Sequence, residues 1–445
     1  MFYDALSEFW FDVSTLSLME LEMKKFIPFE INDDRSNHPL FDIDPDLQYF
    51  NSINYSSIRS NYYTADSFVK KLHNDSICNT PFSLLHSNVR SAPRNLHKLD
   101  NYLDLIDFKF SVIGLTETWY NEATASLYSI DGYTPTHNHR NARRGGGVSI
   151  LIRDQLNFTR RADLESNSQD VESIFIELGK NEIGSNRNVV VGVLYRPPNT
   201  NVDNFLNYCN DFLDKVKSEH KLCYLMGDFN LNILNADKHD KTGDFVDIMF
   251  ANHFIPLINK PTRITQKSAS LIDNIFTNNC DVQSTQGLFY TDISDHLPIF
   301  YYCHSFNVNC KPEYVTKRVF SERNINCFIE KVQNTDWNQV LQTCDPQAAY
   351  SLFHQEFHNA YLQSFPLVTY KITYRNRKSW LTPGLKKSIK LKNKMYIRYN
   401  HHPTNNSEFF YKRYKSKLNE ILHQAEKDHY DKLFDSYKCN MKKPW

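Results

Sequence analysis

LCYLMGDFN, residues 222–230, sets the reading of this chain. Its first five residues are apolar and include a large aromatic, the composition and length of a strand covered on both faces. The run stops at Gly227, and Asp228-Phe229-Asn230 follow at once. A carboxylate at the end of a buried strand is costly to desolvate unless it is paired or bound to a cation.

The same shape recurs outward from this point. SVIGL (111–115), GVSILI (147–152), VESIFIEL (171–178), NVVVGVLY (188–195), LIDNIF (271–276) and LPIFYYC (297–303) are short apolar runs bounded by Gly, Pro, Asn or charged turns. Helical periods lie between them. Leu96, Leu99, Leu103 and Ile106 recur at three- and four-residue intervals, as do Phe205, Cys209, Phe212 and Val216. This alternation implies a sheet core with helices packed on it.

Outside that region the composition shifts. The chain has 445 residues, with 51 Lys+Arg balanced by 51 Asp+Glu. Residues 1–80 carry a net charge of −7, residues 81–310 carry −5, and residues 311–445 carry +12. Residues 1–80 read as an acidic, loosely structured lead-in. Residues 81–304 form the α/β domain. Residues 305–445, where strand signals stop, read as a helical, basic connector. Within it Phe410, Tyr414, Leu418, Ile421 and Ala425 make one apolar stripe.

Composition excludes several classes. No apolar run approaches the roughly 20 residues of a membrane-spanning helix, and mean hydropathy is −0.55. The aromatic and acidic start lacks the basic and apolar regions of a secretory signal. Nine cysteines without a CxxC pair argue against structural zinc and fit a reducing compartment.

Chemistry concentrates where polar residues interrupt apolar strands. Thr116-Glu117-Thr118 follows SVIGL, Asp273 sits inside LIDNIF, and Ser294-Asp295-His296 precedes LPIFYYC. Four such acids, with Asp228, have one common explanation: convergence at a rim of the sheet around a shared cation. Carboxylates with an amide and an imidazole suit a hard ion such as Mg2+, with Mn2+ able to substitute.

These motifs, in this order, resemble the endonuclease/exonuclease/phosphatase superfamily, and within it the apurinic-endonuclease-like domain of jockey-like non-LTR retrotransposons. The resemblance spans Phe82 to Cys303. It rests on HSNVRS, LTETW, RGGGVSILIR, VLYRPPN, GDFN, LIDNIF and SDHLPI. It implies a four-layer α/β sandwich: two packed mixed sheets flanked by helices, with a helical basic C-terminal extension. It implies Mg2+-dependent nicking of DNA. Glu117, Asn88 and Asp295 would hold the metal, and Asp228 would activate water with Asn230 as its orienting amide. His296, paired with Asp273, and Tyr195 would face the phosphate. Arg90 stands where related apurinic endonucleases often carry an acid, which argues against abasic-site repair as the main role. SWLTPGLKKSIKLKNKMY and the helix after it resemble the connector that precedes reverse transcriptase. No polymerase motif is present, so the chain reads as a truncated element or a gene derived from one.

The plainer readings stand beside these. RRGGG (143–147) lacks a P-loop lysine and leads into a strand, so it is a hairpin turn whose Arg143 and Arg144 are candidate DNA-backbone contacts. The prolines after Tyr195 end a strand whatever that tyrosine does. Trp119 is local packing. The basic tail is a solvated helical face or, through its Lys/Arg mixed with Tyr, a contact for DNA or RNA. No membrane partner is expected, and an intracellular, nuclear location follows from the implied role. Two alternatives remain: a phosphatase of the same fold acting on a small phosphate ester, and a decayed remnant that only binds nucleic acid.

Overall fold

The structure is a computed structural model of the full chain, and it describes residues 60–75, 80–140, 145–265, 268–279, 283–308, 314–371 and 378–438. Arg143, Arg144 and most of the acidic lead-in lie outside the described residues.

The chain divides into two compact units, one holding residues up to 310 together with 376–445, the other residues 311–375. The strands and helices of the first unit run, in chain order, β1 (Asn61–Tyr63), α1 (Ala65–Asn74), β2 (Pro81–Asn88), α2 (Ala92–Ile106), β3 (Val112–Thr116), β4 (Tyr133–Asn138), β5 (Val148–Arg153), β6 (Phe158–Arg160), β7 (Glu172–Leu178) and β8 (Val189–Tyr195). They continue with α3 (Val202–Ser218), β9 (Leu222–Asp228), α4 (Asp240–Ala251), β10 (Ile255–Pro256), β11 (Arg263–Ile264), β12 (Ala269–Ser270), β13 (Asp273–Thr277), β14 (Ser284–Phe289) and β15 (Ile299–Asn307).

Two mixed sheets carry this unit. One has the order β1-β14-β15-β2-β3-β5-β4, the other β10-β13-β9-β8-β7-β6. Strand periodicity explains the layering, because successive side chains point to opposite faces. Phe82 and Leu84 on β2, Ile150 and Ile152 on β5, and Ile299, Tyr301 and Cys303 on β15 join a core with the second sheet. Their neighbours Leu85, Leu151, Phe300 and Tyr302 turn the other way, into a separate core with helices. Tyr224 and Tyr301 meet hydroxyl to hydroxyl, 3.1 Å apart, across the two sheets. The apolar stripe of α3, with Phe205, Cys209, Phe212 and Val216, and Phe245 and Met249 of α4 cover the outer face of the second sheet. The result is the four-layer sandwich, helix–sheet–sheet–helix.

The fourth layer departs from the division expected from composition. α1 and α2 supply Phe68, Leu96, Leu99 and Leu103 to it, and so do Trp380 and Leu381 and the two C-terminal helices that follow them, through Ile389, Met395, Tyr411, Tyr414, Leu418 and Ile421. The lead-in likewise contributes: β1 pairs in parallel with β14, and α1 begins with a Thr64–Ser67 capping box. Residues 60–75 and 378–438 are therefore structural parts of the domain, where the sequence suggested a loose lead-in and a connector.

Residues 311–375 form their own small unit. An antiparallel pair, β16 (Tyr314–Arg318) and β17 (Leu367–Lys371), accompanies helices α5 (Glu322–Asn334), α6 (Asn338–Gln342) and α7 (Pro346–Ser364). Phe328 of α5 packs edge-on against Phe357 of α7 with ring centroids 5.3 Å apart. This strand pair was not legible in the sequence, because five-residue strands with mixed polarity carry little periodic signal. The C-terminal helices of the first unit are α8 (Pro383–His401) and α9 (Asn405–Lys438). Thr382 caps α8 and Pro383 opens it, the usual start signal.

Candidate active site

Two parallel strand pairs, one in each sheet, end at the same rim. Asn88 and Thr116 are register partners at the ends of β2 and β3. Tyr195 and Asp228 are register partners at the ends of β8 and β9. Asp273, the first residue of β13, stands directly opposite Asp228 in the antiparallel ladder. Register partners share a face, so the side chains of Tyr195, Asp228 and Asp273 project together.

Hydrogen bonds join these groups into one network. The Asn88 amide donates to Asp228 Oδ2 at 2.8 Å and to Glu117 Oε1 at 3.0 Å. The backbone N–H of Asn230 donates to Asp228 Oδ1 at 3.1 Å. The Nδ1–H of His296 donates to Asp273 Oδ2 at 2.9 Å and lies 3.8 Å from Asp228 Oδ2. The Thr262 hydroxyl donates to the same Asp273 oxygen at 2.6 Å. Ligand atoms of Asp228, Asp273 and His296 all lie within 4.8 Å of one another. Asp295 stands at the edge, where Arg90 and Arg263 donate to its Oδ2 at 2.7 and 2.8 Å. The Arg90 N–H in turn donates to Asn88 Oδ1 at 3.1 Å. Every one of the eight residues singled out from sequence except Tyr195 thus sits on a single chain of hydrogen bonds or close charge contacts, and Tyr195 adjoins Asp228 and Glu117.

Local backbone geometry sets these positions. Arg90, Ser91, Glu117, Trp119 and Asn230 all adopt positive φ, between 44° and 86°. Such residues are uncommon, and their clustering is a mark of functional sites. Two interlocks hold the turns. Ser91 N–H donates to the Glu117 carbonyl at 2.8 Å, and Trp119 N–H donates to the Gly146 carbonyl at 2.8 Å. Gly147 must be glycine, since its φ is +86° and a Cβ there would lie 2.6 Å from the Thr118 hydroxyl. The glycine run therefore serves the loop that carries Glu117. Behind Asn230, the buried Arg196 guanidinium donates to the carbonyls of Phe229 and Asn230 at 2.7 and 2.8 Å. The Asn230 side chain donates to the Arg196 carbonyl at 2.8 Å, so it braces the turn rather than touching Asp228.

Charge is tightly coupled here. Burial, then the neighbouring Asp273 carboxylate, raise the Asp228 pKa, against the pull of His296, Asn88 and Asn230. Asp273 is also buried, yet His296 and Thr262 hold it below the usual carboxylate range. Burial alone would lower His296, but Asp273, Asp228 and Asp295 together lift it to about 9. Tyr195 is held neutral, first by burial and then by Glu117 and Asp228. The site therefore pairs a reluctant carboxylate with a readily protonated imidazole, the separation that acid–base chemistry requires.

The donors also suit a cation. Asp295 Oδ1 and Asp273 Oδ1 are buried without a hydrogen-bond partner among the described residues, and the available donors are carboxylate oxygens, as a hard divalent ion prefers. The imidazole Nδ1 already holds a proton toward Asp273, so the Asp228–Asp273–His296 cluster reads as a hydrogen-bond relay. Glu117 and Asp295 remain as ligand candidates. Asn88 presents its amide nitrogen, not its oxygen, to Glu117.

Several contributors escaped the sequence reading. Thr262 and Ser294 are single hydroxyls in unremarkable loops, yet Ser294 Oγ donates to the Asn88 carbonyl at 2.6 Å and accepts from the His296 N–H at 3.1 Å. Arg263 lies in the polar stretch PTRITQKSAS, which carries no motif of its own. Glu172 is fully buried, paired with Arg140 and with the Gly147 N–H, and is the register partner of Tyr195. The sequence signal for it was an acid at the start of a largely apolar strand that also carries Glu177.

Residues 85–296 match the Endonuclease/Exonuclease/phosphatase family. No curated protein matches the chain. Among solved structures, the endonuclease domain of TRAS1, a telomere-specific non-LTR retrotransposon, is similar at 13% identity, covering 52% of this chain and 99% of that one, with a TM-score of 0.40. The AP endonuclease LMAP from Leishmania major is similar at 15% identity over 50% of this chain and 88% of its own, TM-score 0.41. The 3'-5' exonuclease NExo from Neisseria meningitidis is similar at 16% over 50% and 99%, TM-score 0.39. With its two mixed sheets, their flanking helices and the acid–imidazole network at one rim, the segment 85–296 is a domain of the endonuclease/exonuclease/phosphatase family.

Proposed function

We propose that this domain is a Mg2+-dependent DNA endonuclease, of the kind that nicks target DNA for a non-LTR retrotransposon. The observation that carries the reading is the relay in which Asp273 holds His296 beside Asp228, while Asn88 ties Asp228 to Glu117.

Each residue has a role that follows from its contacts. Asp228 takes the proton of the attacking water; its raised affinity for protons makes it a stronger base than an ordinary carboxylate. Asn88 and the Asn230 N–H fix the two oxygens of that carboxylate, so the base has one orientation. His296 is charged and is held by Asp273 through Nδ1, which leaves Nε2 to donate to a phosphoryl oxygen. Tyr195 adds a second donor for charge that grows on the phosphate. Donors placed in advance at such charge usually make the largest contribution to catalysis. Glu117 and Asp295 would hold the divalent ion. When bound, the ion supplies positive charge to a non-bridging phosphate oxygen.

DNA is the proposed partner, in an intracellular, nuclear setting; RNA contact through the basic C-terminal segment belongs to the same proposal. The test is a substrate panel given to the purified full chain with Mg2+: supercoiled plasmid, a duplex with one abasic site, and an inositol phosphate. Nicking of plasmid at a rate above turnover of the small ester supports the endonuclease. Turnover of the ester with intact plasmid would assign the domain to the phosphatases instead, and inertness toward all three would make it a non-catalytic remnant.

A further inference from the structure

The segment Tyr290–His296, which joins β14 to β15, faces two ways. Ser294, Asp295 and His296 belong to the rim described above. Tyr290, Asp292 and Ile293 face the C-terminal helices α8 and α9 instead. The Tyr290 ring lies 6.0 Å, centroid to centroid, from Tyr396 and from His401. Ile293 shares its apolar cluster with Trp380, Leu381, Tyr411, Tyr414 and Leu418.

Asp292 is the centre of this contact. It is 3% exposed. Its Oδ2 accepts from the Tyr411 hydroxyl at 2.8 Å and lies 3.0 Å from Lys415 Nζ, and Lys392 pairs with its Oδ1. Lys98 of α2, whose ammonium donates to Asn95 Oδ1 at 2.7 Å, adds a more distant positive charge that interacts with the same carboxylate. A buried carboxylate with charged donors on both oxygens is fixed in direction as well as in place. Removing one partner leaves uncompensated charge, which is strongly unfavourable. The backbone of the segment is tied at its ends, by Tyr290 N–H to the Tyr63 carbonyl at 2.9 Å and by Leu297 N–H to the Thr262 carbonyl at 2.7 Å. Between those ties the α8–α9 contact is applied two residues before Ser294.

We propose that Asp292, gripped by Lys392, Lys415 and Tyr411, is a positioning residue, and that α8 and α9 are a clamp that holds Ser294, Asp295 and His296 in their active geometry. The inference rests on the nuclease reading for its effect on rate, but not for its effect on the loop. It also reassigns part of the basic C-terminal charge. Lys378, Lys386 and Lys390 pair with Asp100, Asp104 and Asp66 at 2.6, 2.5 and 2.5 Å, so these lysines, with Lys392 and Lys415, serve the fold.

The test compares Asp292→Asn with Lys386→Met, a variant that breaks an ion pair of the same clamp away from the segment. Hydrogen exchange of the peptide covering 290–297 and steady-state nicking are read in both, at matched loss of melting temperature. Asp292→Asn is expected to speed exchange of that peptide about tenfold and to lower kcat about tenfold with KM for DNA nearly unchanged, whereas Lys386→Met leaves all three within about twofold. Should Asp292→Asn fail to fold, Tyr411→Phe removes one hydroxyl and keeps both ion pairs; it is expected to speed exchange of the same peptide about threefold. Equal exchange and equal kcat in the two clamp variants, or unchanged exchange in Tyr411→Phe, overturns the proposal. A wild type that nicks no DNA overturns the nuclease reading alone, and the exchange comparison still decides the clamp.

Discussion

Replacing Asp228 by Asn should abolish activity and make the folded protein more stable. The structure fixes both signs. Asp228 is fully buried, with the Asp273 carboxylate opposite it in the ladder, and together these raise its pKa to about 7. An unfolded chain holds an aspartate near about 3.9. A carboxylate whose proton affinity rises on folding contributes stability at low pH and opposes folding once the pH exceeds its unfolded value. At roughly 1.4 kcal/mol per tenfold change, ionised Asp228 costs the folded state on the order of 4 kcal/mol. The substitution also has a cost, because an amide facing the Asn88 amide loses one hydrogen bond and sets donor against donor, about 1–2 kcal/mol. The balance is a gain of about 2 kcal/mol, or several degrees in melting temperature at neutral pH in EDTA. Loss of the base should lower single-turnover nicking by about 10²–10⁴. Calorimetry and a nicking time course on the same preparation give both numbers. A variant that melts below wild type, or one that retains a tenth of its rate, would refute the reasoning.

Other predictions follow from separate features. His296→Ala should slow nicking by about 10²–10⁴ without altering circular dichroism, since its ring hydrogen-bonds only within the relay and its antiparallel bridge to Arg263 is made by the backbone, which alanine keeps. Gly227→Ala should unfold or inactivate the domain, because a Cβ there would lie 2.0 Å from the Leu194 carbonyl oxygen and would push β8 from β9; a soluble, active variant would contradict the register. Lys392 and Lys415 hold Asp292 well below the ordinary carboxylate range against its burial. Its contribution is therefore present at neutral pH and lost as pH falls below about 4, so Asp292→Asn should show a shallower fall of melting temperature with acid than wild type. Deleting 378–438 should yield insoluble protein rather than a weaker DNA binder, because it strips α8 and α9 from the core they share with Leu96, Leu99 and Phe289; a soluble, folded truncation would contradict that packing.

The second sheet was readable because VVVGVLY and LCYLM are buried on both faces and carry no competing helical period. The acids that end or interrupt such strands were readable for the same reason: Asp228 and Asp273 stand out against apolar neighbours. What one sequence could not give is partnership at long range. Arg90 and Asp295 are 205 residues apart and meet at 2.7 Å, yet nothing in either segment names the other as its partner. Thr262 and Ser294 are small hydroxyls whose value lies wholly in what folding brings beside them. The basic C-terminal segment was only partly legible for a related reason. Its apolar stripe at Tyr414, Leu418 and Ile421 signalled a buried face, but the lysines around it suggested solvent or nucleic acid. For Lys378, Lys386, Lys390, Lys392 and Lys415 the acidic partners lie on α1, α2 and the Tyr290–His296 segment, too distant along the chain to be paired by inspection. In the lead-in, Phe68 is fully buried although its surroundings in the sequence are polar and rich in Asn, Ser and Tyr.

The central claim is that the rim joining Glu117, Asn88, Asp228, Asp273 and His296 hydrolyses DNA phosphodiesters. The most direct measurement is nicking of supercoiled plasmid by the full chain in Mg2+ and in EDTA, beside Asp228→Asn at equal folded concentration. Wild type should give open-circular product in Mg2+ only, and the variant none above background. Intact plasmid with wild type, or equal nicking by the variant, would contradict that claim.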